Sequence, residues 1–137
     1  MKRVTGIGGI FFKCDDSDAQ RTWYQEKLGI EPQPWGGHVF MWREDADPKE
    51  QGYTVWSPFK SDSDYFGPSN QKFMVNYRVA DLDALLVELR AAGVELAGEP
   101  TSEANGKFAW ILDPEGNKIE LWEPVPSATD PYLGNGE

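Results

Sequence analysis

The sequence predicts an α+β fold: two βαβββ modules whose strands join in one curved mixed sheet around a crevice. Three observations predict it. The chain repeats itself once, each copy runs through strand-like and helix-like periodicity in the same order, and a single copy would leave one sheet face uncovered. The closing stretches "DPKEQGYTVWSP" (Asp47 to Pro58) and "DPEGNKIELWEP" (Asp113 to Pro124) share Asp-Pro, a Trp and a final Pro, each pair 66 positions apart. The opening stretches "GIFFKCDDSDA" (Gly9 to Ala19) and "MVNYRVADLDA" (Met74 to Ala84) share Asp16/Asp81, Asp18/Asp83 and Ala19/Ala84, each pair 65 apart. Residues 1–126 therefore read as one domain of two modules, 3–59 and 70–124. The polar segment 60–69 links them, and a Pro- and Gly-bearing tail, 127–137, is expected to be extended.

The elements follow in order. "VTGIGGIFF" opens the first module as a strand. A helix follows, with Ser17 at its start and Gln20 at the capping-box spacing; Ala19, Trp23 and Tyr24 fall on one side. Gly29 stands where it would stop. A short strand is expected near Glu31, then "HVFMW" and "YTVWS" with turn residues between. The second module repeats the plan. "KFMVNYRV" opens it, Asp81 caps a helix carrying Leu82, Leu85, Leu86 and Leu89 at helical spacing, and Gly93 stops it. A short strand near Glu95, then "KFAWIL" and "KIELW", complete it.

Alternation along each strand assigns the faces. Ile119 and Leu121 should meet the helix, so Glu120 and Trp122 face the hollow. By the repeat, Thr54 and Trp56 face it too. Val75, Tyr77 and Val79 turn to the helix, leaving Met74, Asn76 and Arg78 inward. In the first module the inward set is Gly9, Phe11 and Lys13.

Composition narrows the functional classes. A net charge of −10 argues against nucleic acid, whose phosphates demand Lys and Arg. No apolar run reaches the roughly 18 residues of a membrane span. The single cysteine, Cys14, forms no internal disulfide, and a cytoplasmic setting is expected. Asp15 and Asp16 beside it disfavour a thiolate, so Cys14 is not read as a nucleophile.

Paired strand–helix–three-strand modules closed by "DPEGNKIEL", with the helix segment "YQEKLGI" in support, resemble the vicinal-oxygen-chelate superfamily: glyoxalase I, extradiol dioxygenases and bleomycin-resistance proteins. The resemblance covers residues 3–124. It implies a sheet half-barrel around a ligand crevice, commonly in a homodimer, and one divalent ion in the metal-dependent members, held by four inward His, Gln or Glu residues. Carried over, those positions are Gly9, Thr54, Met74 and Glu120, and only Glu120 matches. The one histidine, His38, is not at a ligand position.

Three readings stay open. The first is metal-independent binding of a small planar or amphipathic molecule, with no cofactor. Phe11, Trp56, Met74 and Trp122 would form the walls, and Thr54, Asn76, Arg78 and Glu120 the polar anchors. A buried carboxylate needs a donor, and Arg78, ahead of Lys118, is the basic partner expected for Glu120. The second is a metal-dependent lyase or dioxygenase relative, with Glu120 as base or carboxylate ligand. The third is a crevice filled by the chain's own side chains.

Overall fold

The computed structural model describes residues 3–28, 30–43, 47–113 and 115–133. The first module comprises β1 (Val4–Cys14), α1 (Ser17–Leu28), β2 (His38–Arg43) and β3 (Gln51–Lys60). The second comprises β4 (Phe73–Val79), α2 (Leu82–Ala91), β5 (Thr101–Glu103), β6 (Gly106–Leu112) and β7 (Lys118–Pro124). All seven strands form one sheet in the order β2-β3-β1-β4-β7-β6-β5.

Within each module the opening strand runs parallel to the closing strand, β1 beside β3 and β4 beside β7. The helix supplies the crossover that a parallel pair requires. The modules meet along β1 and β4, which pair antiparallel from Val4 opposite Val79 to Phe12 opposite Phe73. The two halves of the sheet are thus joined within one chain.

The expected three strands after each helix are only partly realised. Near Glu31 the described residues form no strand: Pro32 and Pro34 lack the amide hydrogens a ladder needs. Near Glu95 there is only an isolated bridge, Leu96 opposite Ile111, and the third strand of that module lies later, at β5. Both helices are capped by the acid that the repeat aligns. Asp81 Oδ1 accepts from the Ala84 amide, and Asp16 Oδ1 accepts from the Ala19 amide, each at 3.0 Å. In α1 the cap is therefore Asp16 rather than Ser17. Gly93 takes the left-handed conformation, φ +80°, just past α2, where a residue with a Cβ is strained. The expected stop at Gly29 lies outside the described residues.

The helix side of the second module is a leucine core. Leu82, Leu85 and Leu86 pack on Val79, Ala109 and Leu121, with Tyr77 and Ile119 at its margin. Each fully buried leucine is worth about 2 kcal/mol. The first module uses aromatics instead: Tyr24 of α1 lies 5.1 Å from Trp56 and 6.2 Å from Phe12, ring centre to ring centre. The concave side holds two further clusters, Phe11 with Phe66 and Met74, and Val39 with Tyr53 and Trp122.

The polar link and the tail, which was expected to be extended, both fold onto that concave side. The 60–69 link places Phe66 in the Phe11–Met74 cluster with no exposed surface. The tail is not extended over its described part. It forms a short 3-10 turn, Ser127–Thr129, and buries Asp130, whose carboxylate accepts the Tyr53 hydroxyl at 2.7 Å.

Candidate functional site

β4 and β7 build the centre of the concave face. Their parallel register sets Asn76 beside Glu120 and Arg78 beside Trp122. Alternation predicted both phases: Met74, Asn76, Arg78, Glu120 and Trp122 are all buried on this side, while Tyr77, Val79, Ile119 and Leu121 meet α2.

Glu120 is 2% exposed and accepts three hydrogen bonds. Asn76 Nδ2 donates to Oε1 at 2.6 Å, Trp110 Nε1 to Oε2 at 2.9 Å, and the Tyr65 hydroxyl to Oε2 at 2.5 Å. Trp110 reaches it because β6 and β7 form a hairpin that sets Trp110 directly opposite Glu120. Asp113 holds the turn of that hairpin by accepting the Asn117 side-chain amide and the backbone amides of Asn117 and Glu115, and these bonds, the Asn117 side chain foremost, lower its carboxyl pKa. Burial and the neighbouring Glu120 charge push the Tyr65 phenol well above its usual range, so it stays a protonated donor.

The expected grip of Arg78 on Glu120 is replaced by these three neutral donors. The Arg78 guanidinium lies among rings instead, 4.9 Å from the centre of Trp122, 5.0 Å from Trp42 and 5.6 Å from Tyr53. Lys118 donates to the Tyr65 carbonyl at 2.6 Å and sits over the Tyr65 and Trp110 rings. Burial lowers its pKa.

Beside Glu120 is a hollow of about 130 Å³, bounded by Gly8, Phe11, Val55, Asn76, Trp122 and Phe108, with Trp35 and Tyr132 at its outer end. Trp122 and Phe108 stack in parallel, their planes 3° apart. Trp35 and Tyr132 meet edge to face with 40% and 39% of their surfaces exposed, so the rim is built from side chains that border solvent. A register shift between Ile7 and Gly9 leaves Gly8 as an extra residue of β1, so that Gly8 borders the hollow while Gly9, paired with Asn76, points to the Phe11 ring on the same side as expected. A Cβ on Gly8 would lie 1.8 Å from Asn76 Oδ1. Among the described residues no donor reaches that oxygen.

Two expected wall or anchor residues are on the wrong side. Trp56 packs against Phe12 and Tyr24 beneath α1. Thr54 shares its side of β3, and its Oγ1 is engaged by the Ile7 carbonyl and the Trp42 indole, both at 2.9 Å. Tyr53 and Val55 are the residues of β3 that turn inward. Met74 is sealed within the Phe11–Phe66 cluster, and Phe11 lines the hollow as expected. His38 is on the edge strand, its Nδ1 2.8 Å from the Glu31 carbonyl.

The sequence reading missed Tyr65, Trp110, Tyr53, Trp35 and Tyr132. Trp110 was recoverable by pairing "KFAWIL" with "KIELW" across their turn. Tyr65 and Phe66 were signalled by two adjacent aromatics inside an otherwise polar link. Nothing in the sequence pattern marks Trp35 or Tyr132.

Several solved structures share this architecture. The chain matches methylmalonyl-CoA epimerase from Mycobacterium tuberculosis with a TM-score of 0.57 at 24% identity, over 92% of both chains. It matches a Streptomyces coelicolor methylmalonyl-CoA epimerase variant in complex with 2-nitronate-propionyl-CoA with a TM-score of 0.64 at 18% identity, over 89% of this chain and 99% of that one. A methylmalonyl-CoA epimerase in complex with methylmalonyl-CoA and NH4+ gives 0.65 at 18%, over 93% and 98%. No curated protein sequence matches the chain. No helix among the described residues is long and apolar enough to cross a membrane. The profile of the glyoxalase-like domain matches residues 9–122, and with the sheet, the two helices and the repeat in hand, the chain belongs to the glyoxalase-like domain family of the vicinal-oxygen-chelate superfamily.

Proposed function

We propose that the chain binds a small planar or amphipathic molecule on its concave face, with Glu120 as the hydrogen-bond acceptor and without a divalent ion. The observation that carries this is the shell of Glu120: three neutral donors aim their hydrogens at its two oxygens. An indole N–H and an amide NH2 turned toward a carboxylate oppose a cation placed between them. Such a donor set does not fit a metal, which calls for about three protein ligands. Among the described residues no three of His, Cys, Asp and Glu gather to hold one. Aromatic walls beside a buried acceptor suit a flat molecule carrying an N–H or O–H. At about 130 Å³ the hollow is smaller than an ordinary ligand site, so binding draws on movement of its partly exposed rim. The likeness to epimerases supports the fold and leaves the ligand to be read from the hollow.

A second reading keeps Glu120 as the carboxylate of a metal-dependent lyase or dioxygenase relative. Its support is that an acid stands at the centre of the face. One pair of titrations separates the two. Calorimetry with nickel, manganese, iron(II) and zinc is expected to give no stoichiometric micromolar binding. Tryptophan fluorescence across a metabolite panel is expected to give a saturable change that Glu120→Gln abolishes. A one-to-one ion bound at micromolar Kd and lost in Glu120→Ala would overturn the first reading.

A further inference from the structure

A phenol already rests on Glu120, and the chain itself provides it. Tyr65 belongs to neither module; it comes from the segment between β3 and β4, yet its hydroxyl donates to Glu120 Oε2 at 2.5 Å. Its ring meets Trp110 edge on, at 89° and 6.1 Å, and tilts against Phe59 at 5.6 Å. The Lys118 ammonium sits 5.4 Å over the same ring. Each of these contacts is a mode of recognising an aromatic alcohol: an acceptor for the O–H, an indole edge, a ring wall and a cation on the π face. None of them depends on the ring being attached to the backbone.

The link also divides its two aromatics by role. Phe66 has no exposed surface and anchors the segment among Phe11 and Met74. Tyr65 keeps 38% of its surface exposed while its hydroxyl reaches a residue that is 2% exposed. Rotating Tyr65 outward frees one acceptor position on Glu120 Oε2, where the Trp110 indole still donates, and the ring-sized space in front of it, with Phe66 still in place.

We propose that Tyr65 is a built-in stand-in for the ligand, and that the Glu120 site takes phenols, molecules with a hydroxyl on an aromatic ring, by exchange with the Tyr65 side chain. This deepens the reading of Glu120 as a ligand acceptor and rests on it. A tethered competitor lowers apparent affinity by the fraction of chains in which it stands aside. The free molecule replaces one O–H···O bond with another, so the wild-type protein binds weakly and removal of the competitor strengthens binding.

The test is calorimetric titration of the full chain with phenol and with anisole, which keeps the ring and lacks the O–H, for wild type, Tyr65→Ala and Tyr65→Phe. Circular dichroism checks the fold of each. Tyr65→Ala is expected to bind phenol at least tenfold more tightly than wild type and to prefer phenol to anisole at least tenfold. Tyr65→Phe retains the ring that fills the space, and is expected to fall between wild type and Tyr65→Ala. Equal affinity for phenol and anisole in folded Tyr65→Ala overturns the proposal, as does a phenol affinity in Tyr65→Phe no better than wild type. If Tyr65→Ala does not fold, the Tyr65→Phe comparison decides alone. If phenol fails in both variants while another small molecule still changes wild-type fluorescence through Glu120, the ligand class is wrong and the site stands. If neither binds, both readings fall.

Discussion

Glu120 accepts from three neighbours that are all oriented as donors, so its replacement by an isosteric amide turns at least one N–H against another in that arrangement, or makes the Asn76 amide turn over. Glu120→Gln is expected to destabilise the fold by about 1–3 kcal/mol, read as a lower urea midpoint at unchanged slope. Tyr53 makes a different kind of buried contact. It is 1% exposed and its hydroxyl is held by Asp130; burial, then that bond and charge, push its pKa far above the ordinary value. The sign follows from linkage. Below about pH 10 the phenol is protonated in both states and its stabilisation is complete. Above that, the unfolded chain releases the proton and the folded chain keeps it, so stability falls by about 1.4 kcal/mol per pH unit. Denaturant midpoints at pH 9, 10 and 11 are expected to drop more steeply for wild type than for Tyr53→Phe. Glu120 facing inward was legible from alternation alone. Its partners were not, because side-chain hydrogen bonds depend on which strands and loops lie alongside, and Tyr65 arrives from a link that carries no periodic pattern.

At the scale of elements, the repeat is informative even where it slips. The opening stretches align at 65 and the closing stretches at 66. A one-residue shift in a strand turns every side chain to the other face. The match of Trp56 to Trp122 at 66 therefore joins residues on opposite sides of the sheet. At 65, Glu120 falls on Val55, which does face the hollow. The two tryptophans should thus part company in experiment. Trp122→Phe is expected to alter the fluorescence response to a bound ligand, and Trp56→Phe to leave it intact while lowering the melting temperature through looser packing of α1. The Asp81 cap was legible; the cap of α1, read from the sequence at Ser17, is Asp16, the residue that the same alignment sets over Asp81. Replacing either with Ala is expected to cost about 1 kcal/mol, measured by chemical denaturation. The short strands after the helices were the least legible, because prolines in one segment and a three-residue strand in the other leave little pattern to read.

For the whole molecule, fold class and module order followed from the sequence, because duplication and periodicity are global signals that survive local error. The closing of the hollow did not follow. It is done by the 60–69 link and by the tail, both polar and aperiodic in sequence. Asp130 ties the tail down through Tyr53, and Tyr132 and Leu133 then pack beside the hollow. Asp130→Ala is expected to release the tail as a unit. Acrylamide should then quench Trp122 more strongly, and amide exchange between residues 127 and 133 should quicken, while the helix cores keep their protection.

The pairing of Val55 with Glu120 across the seam has a last consequence. A twofold-related cradle would offer a symmetric molecule two equivalent seats. Here one half presents an acid and its donors, and the other presents only hydrocarbon at the matching place. A guest in the proposed site would accordingly be seated one way round, one to each chain.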